Sequence, residues 1–133
     1  VSSLYYEEFK KYEEGKNSMD NRKKYELLQF MKKILDENDI EEFFCRQFEE
    51  DNPEFFVLYK KNLLKFDYTE YNSMEFKCFP LNSIKNLVFV ENRNAYKLVI
   101  TFNSEDGKYV LDTIKGYNEE NLINFTRGLN NEL

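Results

Sequence analysis

The chain has 133 residues, a net charge of −6 and a pI near 4.9, with no His, four Gly and two Cys. Those counts exclude a Ser-His or Cys-His nucleophile pair, a zinc site of Cys and His, and a Gly-rich loop cradling a phosphate. The length fits a single domain able to bury roughly two-thirds of its unfolded surface, so a core forms without metal or disulfide.

Charge is uneven. Residues 1–52 hold nine Lys/Arg against fourteen Asp/Glu, and residues 53–133 hold ten against eleven. An acidic chain lacks the basic clusters that bind phosphate, so no nucleic-acid partner is expected. Without a signal peptide or an apolar run near 18 residues, no membrane span is expected and the compartment reads as cytoplasmic. The chain opens on Val1, not Met, which leaves room for residues in front. The excess of Asn, Lys, Glu, Ile, Phe and Tyr over Gly, Ala, Pro and Arg fits an AT-rich bacterial or phage genome.

In chain order, Ser3 caps a first helix in which Tyr5, Phe9 and Tyr12 recur at helical spacing, and Gly15 stops it. Asp20 caps a second helix with Leu27, Leu28, Met31, Ile34 and Leu35 on one face, ended by Asn38. Asp39 and Glu42 resemble a capping box for a third helix bearing Ile40, Phe43, Phe44 and Phe48, with Asn52-Pro53 ending it. That break divides a helical layer, residues 1–52, from the remainder, 53–133, within one compact domain.

Strands follow. Phe55 to Tyr59 turns at Lys60-Lys61-Asn62 into Leu64, Phe66 and Tyr68. Met74, Phe76 and Cys78 then alternate as far as Pro80. Leu87 to Val90 joins Tyr96–Asn103 through Asn92-Arg93-Asn94, and Asp106-Gly107 leads into Tyr109, Leu111 and Thr113. A two-residue loop pairs Phe102 with Leu111 and a four-residue loop pairs it with Tyr109; both bury the same face. After Gly116, Asn118 caps a last helix with Tyr117 and Leu122 as its staple and Leu122, Phe125 and Leu129 as its apolar stripe. The fold class is α+β: N-terminal helices, then a curled antiparallel sheet of about six strands capped by a C-terminal helix.

Over residues 54–131 this order resembles the pleckstrin-homology-like superfold, with its bacterial and GRAM-type relatives. The stretch Phe79-Pro80-Leu81-Asn82-Ser83-Ile84-Lys85-Asn86-Leu87-Val88-Phe89 resembles the segment where one strand of such domains runs through a short loop into the next. Six strands stand where seven are usual, and the helices in front are an addition. The resemblance implies a headgroup site at the first hairpin, where Lys60, Lys61 and Lys65 fall. The family's K-x-R pattern is missing there, so phosphoinositide binding is not the expected role.

The expected role is a non-enzymatic module that binds a protein partner or itself, with no cofactor and no metal. Its candidate contact residues are Tyr5, Tyr6, Phe9 and Tyr12, more aromatic surface than a lone helix hides, together with an open sheet edge. Two other roles fit the sequence. One is an acidic antagonist of phage or mobile-element origin that occupies a basic nucleic-acid site. The other is a carrier or enzyme using a carboxylate in a sheet cavity, for which Asp112 is the most interesting acid. Cys45 and Cys78 are expected as two buried free thiols.

Overall fold

A computed structural model describes residues 4–15, 22–46, 52–93, 95–103, 107–113 and 118–133. Ser3, Asp20, Asp106, Gly116 and Tyr117, singled out above as caps, turn or staple, lie outside them, as does Phe48. The chain divides into two compact units, residues 1–78 and 79–133. Asn52-Pro53, where the sequence suggests the break, joins two strands that pair with each other.

The elements are α1 (Leu4–Gly15), α2 (Arg22–Ile34), β1 (Ile40–Arg46), β2 (Glu54–Tyr59), β3 (Asn62–Tyr68), β4 (Met74–Pro80), β5 (Ile84–Asn92), β6 (Ala95–Phe102), β7 (Lys108–Asp112) and α3 (Glu119–Glu132). Two sheets form, in the orders β1-β2-β3-β4 and β5-β6-β7. This corrects the expectation of one curled six-stranded sheet. The additional strand is β1, read from the sequence as a third helix.

The misreading has a physical cause. Ile40 and Phe43 are three apart, a helical interval, yet a bulge between Ile40 and Glu42 inserts one residue. Both side chains then reach the same core. Phe43, Phe44 and Cys45 are consecutive and all buried, as in a strand covered on both faces. Asp39 belongs to a single 3-10 turn, Glu37–Asp39, whose cap is Asp36: its carboxylate accepts from the Asn38 N–H at 3.1 Å.

In the first unit α1 packs on β1, and α2 packs on α1 and β3. Tyr6, Phe9, Leu27, Leu28 and Met31 meet Phe43, Phe55, Val57, Leu64 and Phe66 in one core. Phe44, Phe56, Leu58 and Leu63 lie on the opposite face of the sheet and are also buried. The β2–β3 hairpin pairs Tyr59 with Asn62, leaving Lys60 and Lys61 as its two-residue loop, with φ of 47° and 61°. Positive φ at both loop residues matches strand twist but is a conformation that favours Asn and Gly.

In the second unit β6 is the middle strand, and α3 packs on it. Leu98, Ile100, Phe102 and Leu111 are buried, as are Leu122, Phe125 and Leu129 of α3. Phe79 stacks on Phe102 with ring centroids 4.5 Å apart. The β6–β7 register pairs Leu98 with Leu111 and Ile100 with Tyr109, and the Phe102 N–H donates to the Gly107 carbonyl at 3.2 Å. Neither expected register occurs; the observed one slips by a further two residues and so keeps the expected buried face. Asn118 precedes α3 in the left-handed region, φ 64°, and its side-chain oxygen accepts from the Asn121 amide at 3.2 Å instead of capping the backbone.

Candidate functional site

Three of the α1 aromatic residues, Tyr5, Tyr6 and Phe9, serve the core. Rings of Tyr5, Tyr6 and Phe9 lie 5.7, 5.1 and 5.0 Å from that of Phe43, and Phe9 meets Phe55 edge-on at 5.4 Å. The Tyr6 hydroxyl donates to Glu37 Oε2 at 2.9 Å, and Lys10 Nζ reaches the same oxygen at 2.8 Å. Burial works against ionisation of Glu37, yet these two donors outweigh it and hold the carboxyl below its usual range. Burial, then the hydrogen bond to Glu37, pushes the Tyr6 phenol well above its ordinary value. Of the four aromatic candidates, Tyr12 alone is exposed, at 61%.

The three candidate lysines have separate surroundings. Lys60 lies 3.5 Å from Asp39 and its ammonium sits over the Tyr59 ring, while Lys61 is exposed at the hairpin tip. Lys65 lies mid-strand, 3.0 Å from both Glu54 and Asp67, and Arg46 also pairs with Glu54. Burial opposes the Lys65 charge, but hydrogen bonds to Glu54 and Asp67 outweigh it and raise its pKa. Its charge is thus met within the chain.

Other groups with potential chemistry are scattered. Asp112 is half-buried on β7, opposite Lys97. Burial, then the neighbouring Glu41, raises the Glu42 carboxyl. Cys45 is buried, and burial pushes its thiol up to about 12, which removes it as a nucleophile. Cys78, expected to be buried, is exposed. Glu13 is buried, with Oε2 lacking a hydrogen-bond partner among the described residues. No set of three potential metal ligands occurs among the described residues, and no helix there is long and apolar enough to cross a membrane.

The surface with the most to offer was not singled out by the sequence. Strand β5 is an edge of its sheet and is exposed along most of its length, with Val88, Phe89 and Val90 at 49, 40 and 40%. The α3 stripe is narrow. Its buried residues Leu122, Phe125 and Leu129 fall on one side of the helix, and the β5 margin stays partly open. A groove of about 350 Å³ results, lined by Leu87 and Phe89 of β5 and by Ile123, Thr126, Arg127 and Asn130 of α3. Phe89 stacks on Tyr96, centroids 5.6 Å apart, which fixes the groove wall. Arg127 at the rim is exposed and has no acidic partner among the described residues. The lining contains no acid. What signal existed was the run Leu87-Val88-Phe89-Val90, too apolar for a strand with one face in water.

No family model, curated protein or solved structure matches this chain.

Proposed function

We propose that this chain is a non-enzymatic protein-interaction module of pleckstrin-homology-like fold, and that it takes an extended peptide segment along β5. The fold half of this reading is supported by element order: four antiparallel strands, three more, then a helix that packs on the last sheet. Seven strands is the usual number for that superfold, and the helices in front are this chain's addition.

The observation that carries the functional half is the exposed β5 edge beside the α3 groove. An edge strand offers a row of unpaired N–H and C=O groups, and an extended peptide satisfies them by adding a strand. Leu87, Phe89 and Ile123 supply an apolar socket for one of its side chains, and Arg127 favours an acidic residue next to it. A role as an acidic mimic draws no specific support from this surface.

The test is selection from a displayed library of random twelve-residue peptides against the full chain, followed by amide-shift mapping of an enriched peptide. Shifts at 87–90 and 123–130, with loss of binding in Phe89→Asp and weakening in Arg127→Glu, are expected. Failure to enrich any peptide, or mapping to another surface, overturns the reading.

A further inference from the structure

We propose that β4 is a self-recognition edge, where a second copy of this chain pairs antiparallel about Phe76. Strand β4 closes the order β1-β2-β3-β4. Met74 and Phe76 are 37 and 41% exposed, and Lys77 and Cys78 are exposed beside them. Such an apolar edge invites another strand.

Backbone geometry favours that partner. The Thr69 N–H donates to the Ser73 carbonyl at 2.7 Å at the turn between β3 and β4, and Phe66 stacks on Phe76 at 5.4 Å. Bonded and unbonded pairs alternate along an antiparallel ladder, so the amides of Met74, Phe76 and Cys78 point away from β3. Continued along the ladder, the Thr69–Ser73 pairing sets Glu75 across from Asp67 and Lys77 across from Lys65. Among the described residues neither Glu75 nor Lys77 has an ion-pair partner.

Charge identifies the occupant. The run Met74-Glu75-Phe76-Lys77-Cys78 is its own complement when reversed. With Phe76 opposite Phe76 of the second copy, Glu75 meets Lys77 twice, on one face, and Met74 meets Cys78 twice, on the other. Opposite charges directly across a strand pair stabilise it and like charges oppose it. Five residues of edge make a small interface, so the dimer is concentration-dependent, roughly micromolar or weaker. It is a surface distinct from the β5 groove, and its failure leaves the peptide-binding reading standing.

Sedimentation velocity across a concentration series tests it, with circular dichroism confirming that each variant is folded. Lys77→Glu and Glu75→Lys should each weaken self-association by roughly tenfold or more. Mixing these two variants should restore a dimer, because every cross-strand pair is then Glu against Lys. The double variant carrying both changes should also self-associate. A parent chain that stays monomeric at millimolar concentration, a dimer indifferent to either substitution, or variants that fail to rescue each other would overturn the proposal.

Discussion

Replacing Glu37 tests how α1 is held. Its carboxylate accepts from Tyr6, whose side chain is fully buried, and from Lys10, and both donors lie on α1. A hydrogen bond to a charged acceptor contributes about 1.5–3 kcal/mol net. The Lys10 pair is partly solvated, so only about 0.2–1 kcal/mol is added. Glu37→Ala should therefore cost about 2–3 kcal/mol, and Tyr6→Phe about 1.5–2. Because both changes remove the same bond, the double variant should fall short of their sum by about 1–2 kcal/mol. Urea unfolding followed at 222 nm measures all four corners of the cycle. The pH dependence has a fixed sign. A carboxyl held below its unfolded value contributes fully above that value and loses the contribution as pH falls through the lowered one. Glu37→Gln should flatten the acid limb. At high pH the raised Tyr6 phenol works the other way: stability falls once an unfolded tyrosine would ionise, and Tyr6→Phe removes that part. Additive single effects, or an acid limb unchanged in Glu37→Gln, would refute the clamp.

Other outcomes follow from local geometry. Lys61→Gly should stabilise the fold by about 1 kcal/mol, seen as a Tm higher by a few degrees, because Gly holds a positive φ without the steric cost Lys meets. Lys65→Ala should destabilise by about 2–3 kcal/mol in urea, since partly buried Asp67 loses its ion-pair partner and Glu54 keeps only Arg46. The native protein should release one fast equivalent in a thiol assay, from exposed Cys78, while buried Cys45 reacts only on unfolding. Cys78→Ser should abolish the fast phase, and two fast thiols would show that β1 opens readily.

Much of the fold was legible, for reasons tied to particular residues. The stripe Leu122, Phe125 and Leu129, and the alternation from Leu98 to Phe102, carry a single period each and are buried as that period demands. Ile40 to Arg46 misled because a bulge converts a spacing of three into a shared strand face. The turn at Lys60-Lys61 was legible between its two strands, but its left-handed backbone was not, because Lys does not prefer that conformation. The aromatic side of α1 was visible, but whether it packs or recruits a partner depends on Phe43 and Phe55, distant in sequence. The β5 groove was least legible. Exposure of Val88 and Phe89 follows from edge position and the narrow reach of α3, and neither is written into a local pattern.

The seating of Tyr6 and Phe9 among Phe43 and Phe55 makes the leading segment structural masonry and not a dispensable tail. Trimming to residue 16 would leave a wall of phenyl rings wet, so a truncated version should precipitate before it yields a smaller working part.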